Sequence, residues 1–327
     1  MHLLSTIFRA PLAPLVAIVL GITLSHSTAS AQYYQRPLPE LSIGIGATNF
    51  LGDLGGRDQF GSDFIWDLEL SQTSPAVKIS YMHFVNNWSG IRYNFAWGQI
   101  AGDDALTAET FRSNRNLHFR SSIIEMSAVY EIHIFKEKAT TRYSLRDQRM
   151  RLIGMKGGQM GTYIFAGLGT AYTNPKAQLD GSGAWIALAP LGTEGQGLPG
   201  GPDPYNRFAL AFPMGFGFRF ARNRNLTISL ELGYRITTSD YLDDVSTDYY
   251  DNQTLQNIRG DLAASLANPS SGPSTWTQAG EQRGDPTDND GYMFLTINGH
   301  YKFHTKNNRR KNKRRRYRAR VNQSFRW

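Results

Sequence analysis

The residues best suited to acyl-transfer chemistry are Ser127 and His133, a hydroxyl nucleophile and a base on one face of an alternating segment. They are six residues apart. That spacing spans roughly 20 Å along a β-strand, so the two side chains cannot hydrogen-bond to each other. The sequence contains no Gly-x-Ser-x-Gly elbow and no His-Glu-x-x-His motif. We therefore expect a protein that is not an enzyme and that holds no cofactor.

Two acidic segments, residues 240–251 and 285–291, carry the carboxylate oxygens that calcium prefers. The second segment does not match the EF-hand pattern, because its first and twelfth positions would be Pro286 and Ile297. A solvated surface loop is the favoured interpretation of both segments. Calcium binding remains the alternative.

A strongly basic tail covers residues 305–327. Residues 306–327 hold eleven Lys/Arg and no acid, so subtracting them from the net charge of +8 leaves −3 elsewhere. A cytoplasmic protein would use such a segment on nucleic acid, but the export signal described next removes that partner. Two interpretations stay open: a dock for anionic headgroups or an acidic protein face, and a solvated, disordered extension. The docking residues would be Lys306, Arg309, Arg310, Lys311, Lys313, Arg314, Arg315, Arg316, Arg318 and Arg320.

An export signal is predicted at residues 1–31. Arg9 supplies a positive charge, residues 11–24 are apolar, and Ala29-Ser30-Ala31 offers small residues for cleavage before Gln32. The apolar stretch is too short for a spanning helix, which needs roughly 20 apolar residues. The sequence has no cysteine, which excludes a disulfide framework and a thiolate metal site.

After the export signal, apolar residues alternate with polar or small ones, a pattern typical of β-strands. In residues 208–220, for example, seven apolar side chains alternate with mostly small residues. Charged residues also fall opposite the apolar stripes. The pattern predicts eight strands, at roughly 40–49, 75–84, 91–98, 122–135, 162–172, 208–220, 226–236 and 291–303.

The length of these segments favours a membrane barrel over a soluble sandwich, which would turn its charged faces to water. Most have 10 to 14 residues, whereas ordinary strands average about 5–6 and membrane-spanning strands need about 9–11. We predict an all-β fold: an eight-stranded antiparallel up-and-down transmembrane β-barrel with long extracellular loops. The charges predicted to face its lumen are Arg92, Glu125, Glu131, Arg219, Glu231 and Arg235.

The connections between the predicted strands alternate between long and short. Residues 50–74, 100–121, 173–207 and 237–290 form long connections at one end. The other end has short turns at 85–88 and 221–225, and a basic connection at 136–161 with seven Lys/Arg against two acids. Outer-membrane barrels have long extracellular loops and short periplasmic turns. This asymmetry places the basic connection and the basic tail on the periplasmic side.

Three stretches are similar to one family. They are Gly46-Ala-Thr-Asn-Phe-Leu-Gly-Asp-Leu54, Ser239-Asp-Tyr-Leu-Asp-Asp-Val-Ser-Thr247, and residues 283–303 with Arg283-Gly-Asp285, Asp288-Asn-Asp290 and Tyr301-Lys-Phe303. They resemble the PorG-like outer-membrane proteins of the Bacteroidota type IX secretion system. The resemblance implies a non-enzymatic component of the secretion and gliding apparatus that contacts the periplasmic ring proteins PorK and PorN. The basic tail and the long 173–207 connection depart from the family's compact form.

The sequence thus predicts three segments: a signal peptide (1–31), an outer-membrane β-barrel (32–304) and a basic periplasmic tail (305–327). The expected function is an anchor in the outer-membrane lipid that contacts a periplasmic ring complex. One alternative is a small structural barrel without a secretion role. A third candidate is a lipid A-modifying enzyme, because such enzymes use His/Ser chemistry on eight-stranded barrels.

Overall fold

The structure, a computed structural model, describes residues 37–54, 72–106, 109–137, 160–179, 183–222, 225–270 and 272–303. The predicted export signal, most of the basic connection 136–161 and the basic tail lie outside the described residues. In the described part of the chain, eight long antiparallel strands close into a barrel.

The barrel strands are β1 (Glu40–Leu51), β2 (Ser74–Phe84), β3 (Ser89–Asp103), β4 (His118–Phe135), β5 (Met160–Tyr172), β8 (Phe208–Ala221), β9 (Leu226–Thr237) and β10 (Gly291–Lys302). Two short strands, β6 (Pro175–Ala177) and β7 (Ile186–Ala187), lie between β5 and β8. Each barrel strand pairs with the next one along the chain, and β10 pairs with β1, with Ile45 opposite Ile297. The predicted up-and-down barrel is confirmed.

Six of the eight predicted strands agree with the observed ones to within two residues at each end. The exceptions are β3 and β4, which extend further at the end that carries the long connections. There the outward residues become polar or small, so the apolar alternation stops, but backbone pairing continues between Gln99 and Ser122 and between Ala101 and Arg120. The alternation pattern reports side chains rather than backbone pairing. For this reason the predicted β3 and β4 are too short at this end.

Alternation along β8 shows how the sequence forms the barrel wall. Phe208, Phe212 and Phe216 point outward and are 40–64% exposed, whereas the small residues between them point inward. Gly217 is one of these inward residues. A Cβ at Gly217 would overlap the ring of Tyr163, which is fully buried in the interior. Glycine on the inner face therefore makes room for a large polar side chain from a neighbouring strand.

One end of the barrel, which we call the turn end, carries the short connections. At residues 85–88, the side-chain oxygen of Asn86 accepts hydrogen bonds from the backbone N–H groups of Trp88 (2.9 Å) and Ser89 (2.8 Å). Asparagine favours such turns because its side chain can replace a backbone acceptor. The tight turn predicted here is confirmed.

The opposite end, which we call the loop end, carries the long connections, and these are folded. We call this region the cap and define it as residues 104–106, 109–117, 183–207, 238–270 and 272–290. It contains the helices α1 (Thr110–Arg115), α2 (Asn252–Arg259) and α3 (Asp261–Ala267). Asp251 caps α2 by accepting a hydrogen bond from the Thr254 N–H at 2.9 Å.

Apolar side chains join the cap to the barrel. A core at the loop end combines strand residues such as Phe50 and Phe119 with cap residues such as Leu242 and Val245, all of them buried. A second cluster packs α2 against α3 through Leu255, Ala263 and Ala267. None of the helices in the described residues is long and apolar enough to span a bilayer.

Candidate functional site

The interior of the barrel is charged and closed to solvent. The side chains of all six predicted lumen charges lie inside the barrel, and each residue is at most 2% exposed. They are Arg92, Glu125, Glu131, Arg219, Glu231 and Arg235. They form three groups along the barrel axis, and each group includes partners that the alternation pattern did not single out.

The central group is built around Glu231 on β9. Its carboxylate pairs with Lys78 on β2 and with Arg92 on β3, and it also accepts a hydrogen bond from the Tyr163 hydroxyl at 2.7 Å. The Arg92 guanidinium lies 4.8 Å from the centre of the Phe165 ring. One acidic side chain therefore links strands on opposite sides of the barrel.

The group at the turn end is built around Arg219 on β8. Its guanidinium pairs with Glu40 and lies 3.5 Å from Glu131 Oε1 and 3.4 Å from Glu137 Oε1. Lys302 Nζ lies 3.3 Å from Glu137 Oε1. Sequence reasoning did not identify Glu40 or Glu137, because each lies at or just beyond the end of a strand, where alternation no longer indicates a face.

The group nearest the loop end is built around Glu125 on β4. Its Oε2 accepts hydrogen bonds from Arg235 Nε at 2.9 Å and from the Tyr292 hydroxyl at 3.0 Å. Its Oε1 accepts one from Ser127 Oγ at 2.8 Å. Basic and acidic side chains thus alternate along the interior. Their ion pairs brace the wall of the barrel.

The structure does not bring together the two residues considered for acyl transfer. Ser127 donates its hydroxyl to Glu125, and it also accepts a hydrogen bond from Asn94 Nδ2 at 3.1 Å. His133 Nε2 instead lies 3.1 Å from Glu131 Oε1. Both side chains therefore belong to the interior polar network, and each contacts a different carboxylate.

The outer surface of the barrel is apolar. Every barrel strand presents an outward apolar side chain that is 41–62% exposed: Ile43, Ile79, Phe95, Met126, Leu168, Phe216, Leu230 and Ile297. A continuous apolar belt of this kind is unfavourable in water and favourable in a bilayer. Closure of the sheet pairs the backbone groups that an open edge would expose to lipid. The chain is a transmembrane β-barrel of the outer-membrane type.

In the cap, the interpretation of the acidic segments as solvated loops is wrong for four aspartates. Asp240, Asp243, Asp244 and Asp290 are each at most 9% exposed. The chain folds back on itself here: Asp290 Oδ2 accepts a hydrogen bond from the Leu242 N–H at 2.8 Å, and Asp243 accepts one from Leu54 N–H at 3.2 Å. Among the described residues, no group of three or more His, Cys, Asp or Glu side chains is placed to hold a metal ion.

Burial determines the protonation of these carboxyls. It raises the pKa of Asp240 to about 8, and the charges of Asp53 and Glu194 add to the increase. Burial also raises the pKa values of Asp243 and Asp290 well above the usual range, and repulsion from Asp53 adds to the increase for Asp243, as repulsion from Asp243 does for Asp290. These carboxyls are therefore stable in the cap mainly in their neutral form.

Two buried arginines fix the shape of the cap. Arg115 donates to both oxygens of Asp104, at 2.7 and 2.9 Å, and to the backbone oxygen of Asp53 at 2.8 Å. Arg283 donates to Glu194 Oε1 at 2.8 Å and to the backbone oxygen of Asp244 at 2.7 Å. The sequence predicted no contacts for either arginine, although Arg283 lies in a stretch that resembles the PorG-like family, because loops without periodicity give no signal for which residues meet.

The predicted partner-binding residues of the basic tail lie outside the described residues. The structure does describe the point at which the tail leaves the barrel. Lys302, the last residue of β10, contacts Glu137, which lies two residues beyond the end of β4. The tail and the basic connection therefore begin next to each other at the turn end.

Comparison with known proteins gives distant matches. The family described as a domain of unknown function (DUF6089) matches residues 15–152. No curated protein matches the sequence. The chain is similar to Ail, the attachment invasion locus protein of Yersinia pestis, at 11% identity, covering 82% of this chain and 100% of that chain with a TM-score of 0.35. It is also similar to Neisserial surface protein A, at 11% identity, covering 81% and 97% with a TM-score of 0.34. Likenesses this distant carry no information about function.

Proposed function

We propose that this protein is a non-enzymatic outer-membrane component of the type IX secretion apparatus. The barrel anchors it in the membrane, and basic elements at its turn end contact periplasmic ring proteins of the PorK/PorN type. The observation that carries the proposal is the contact of Lys302 Nζ with Glu137 Oε1 at 3.3 Å.

That contact brings two basic segments to one place. The basic connection, residues 136–161, includes Glu137 and has seven Lys/Arg, and the tail follows Lys302 with eleven in residues 306–327. Segments that begin at adjacent points on one end of a barrel can present a common basic face. Such a face suits an acidic protein surface on the periplasmic side.

The stretches that resemble the PorG-like family also support the proposal. They lie far apart in sequence but meet at the base of the cap. The carboxylate of Asp53 accepts a hydrogen bond from the Asp285 N–H at 2.7 Å, and that of Asp243 accepts one from the Leu54 N–H at 3.2 Å. The three stretches therefore form one structural unit. In it, hydrogen bonds join the segments that follow β1 and β9 and the segment that precedes β10.

The filled interior favours an anchoring role over transport through the barrel. An eight-stranded barrel has a lumen that side chains fill. In this barrel the interior is crossed by pairs such as Glu231 with Arg92 and Glu125 with Arg235. A barrel that is closed in this way can hold a periplasmic assembly at the membrane without making the membrane leaky.

Co-purification from native membranes tests the proposal. Three full-length forms are compared: the unchanged chain, a form in which the ten tail cations from Lys306 to Arg320 are glutamines, and a form in which the seven cations of 136–161 are also glutamines. We expect recovery of PorK/PorN-type ring proteins to fall at least tenfold in the third form. A cap variant, Arg259→Gln, is the control and should recover them normally.

Two results would contradict the proposal. One is ring-protein recovery from the fully neutralised form equal to that from the unchanged chain. The other is normal protein secretion in a strain that lacks the gene. Normal secretion together with increased sensitivity of the outer membrane to detergents would favour the alternative of a small structural barrel.

A further inference from the structure

A pocket lies on the lipid-facing side of the barrel near the loop end. It has a volume of about 340 Å³, at the lower end of the roughly 300–1,000 Å³ typical of small-molecule sites. We call it the rim pocket. Its walls include Gln99, Arg120, Ser122, Tyr172, Lys176 and Trp185. It belongs neither to the barrel interior nor to the basic elements at the turn end.

The rim pocket lies where the apolar belt ends. The outward residues of β4 change from Ile124 to Ser122 and then to Arg120. On β3, Trp97 pairs with Ile124 and Gln99 pairs with Ser122, so both strands change from apolar to polar at the same height. Aromatic residues mark the interface of a membrane protein, and polar residues lie above it. The pocket is therefore level with lipid headgroups.

Two cations, Arg120 and Lys176, line the rim pocket, and a third, Arg207, contacts two of its lining residues. Arg120 on β4 and Lys176 on β6 are direct register partners, an arrangement in which like charges destabilise a sheet. The guanidinium of Arg207 lies 5.7 Å from the centre of the Tyr172 ring, which lines the pocket. In the described part of the chain, no carboxylate forms a salt bridge with any of these three residues.

Neutral groups hold two of these cations in place. Arg120 Nη2 donates to Gln99 Oε1 at 2.6 Å, and its guanidinium lies 5.5 Å from the centre of the Trp185 ring. Arg207 Nη1 donates to Asn174 Oδ1 at 3.4 Å. These contacts orient the positive charges but do not neutralise them.

We propose that the rim pocket binds the phosphorylated headgroup of an outer-leaflet lipid. Arg120, Lys176 and Arg207 pair with its phosphate, and the rings of Trp185 and Tyr172 pack against its less polar part. A lipid is favoured over a soluble anion because the pocket opens directly above outward apolar residues. The acyl chains of a lipid in the pocket continue along that apolar surface, so headgroup and chains bind together.

Native mass spectrometry of the full-length protein in detergent tests this inference, with bis-phosphorylated lipid A as the probe. The test variants are Arg120→Gln and Lys176→Gln. The matched control is Arg222→Gln, which removes the same charge from an exposed position at the turn end. We expect the Kd for lipid A to rise at least tenfold in each test variant and to stay unchanged in the control.

A second measurement needs no variant, so the proposal stays testable if a substitution prevents folding. The unchanged protein should bind enzymatically dephosphorylated lipid A at least tenfold more weakly than the bis-phosphorylated form. Equal affinity for the two lipids would overturn the proposal, as would equal loss of affinity in Arg120→Gln and Arg222→Gln. Displacement of lipid A by millimolar inorganic phosphate would show that the pocket binds a soluble anion and would overturn the proposal that it binds a lipid.

Discussion

Glu231 on β9 pairs with Arg92 on β3, a strand that lies across the barrel rather than next to it. Both residues are at most 2% exposed. Their pairing ties together parts of the wall that share no backbone hydrogen bonds. The barrel thus has a second set of connections, made by side chains, in addition to its strand pairing.

Glu231→Gln should destabilise the barrel strongly. The substitution keeps the shape of the side chain but leaves Arg92 and Lys78 without their shared carboxylate in the interior. Removing one partner of a buried ion pair costs about 3–5 kcal/mol. Urea unfolding in lipid vesicles would measure this loss. Glu281→Gln, at an exposed position in the cap, is the control, and equal stabilities of the two variants would contradict the role given to the interior pairs.

Phe216→Arg and Phe208→Arg should differ in their effects because the two positions lie at different depths. Both phenylalanines point outward from β8, with Phe216 near the middle of the strand and Phe208 at its loop end. An arginine facing lipid costs about 2–4 kcal/mol at the midplane and about 0–1 kcal/mol near the interface. The free energy of folding into vesicles gives the comparison. Equal losses at the two positions would argue against the assigned membrane position.

The cap should become less stable as the pH rises. Burial raises the pKa of Asp240 to about 8 and that of Asp244 to about 6. Because these values exceed those of an opened cap, the closed cap binds protons more tightly. The contribution of these two carboxyls to the stability of the cap is therefore full below about pH 4, falls as the pH rises through the folded values, and levels off above them.

Hydrogen exchange of residues 238–270 at pH 5.5 and pH 8.5 would measure this dependence, with each rate divided by the intrinsic exchange rate at that pH to give a protection factor. We expect smaller protection factors at the higher pH, and a weaker pH dependence in Asp240→Asn. The exposed Asp248→Asn is the matched control. Larger protection factors at pH 8.5 than at pH 5.5 would contradict the neutral state assigned to the buried carboxyls.

Glu194→Gln should loosen the cap and leave the barrel folded. Glu194 accepts hydrogen bonds from Arg283, from the Ser246 N–H at 2.9 Å and from the Thr247 hydroxyl at 2.7 Å. Its loss leaves the Arg283 guanidinium buried without a carboxylate, at a cost of about 3–5 kcal/mol. Limited proteolysis should cut the variant within 238–290, whereas its heat-dependent migration in gels should match that of the unchanged chain. If the variant lost both the protease resistance of the cap and the heat-dependent migration, the cap and the barrel would unfold as one unit, which would contradict the prediction.

The barrel could be predicted from the sequence because its strands obey a local rule. Inward and outward residues alternate, so Phe212 and Phe216 indicate one face and Arg219 indicates the other. The same rule placed most of the interior charges on the correct face. It could not pair them, since the pairing of Glu231 with Arg92 depends on strand order and register around the closed barrel.

The cap could not be predicted because its contacts are not local. Glu194 and Arg283 are 89 residues apart, and Leu54 and Asp243 are 189 apart. Neither pair follows a periodic pattern. Composition indicated solvated acidic loops, whereas tertiary packing buries Asp243 and Asp290 completely or nearly so, at 0% and 1% exposed. The same limit applies to the rim pocket, which forms where β3, β4, β5 and β6 meet.

The central claim is that hydrocarbon surrounds the outer face of this barrel, and spin-label accessibility along β4 tests it most directly. The chain has no cysteine, so single cysteines can be introduced and labelled one at a time from 120 to 134 in vesicles. At the outward, even-numbered positions we predict that collisions with oxygen exceed those with a water-soluble nickel reagent, with a maximum near Met126 and a decline towards both ends. Ready access of the nickel reagent to every outward position, with no maximum in the oxygen collisions, would contradict the claim that hydrocarbon surrounds the barrel.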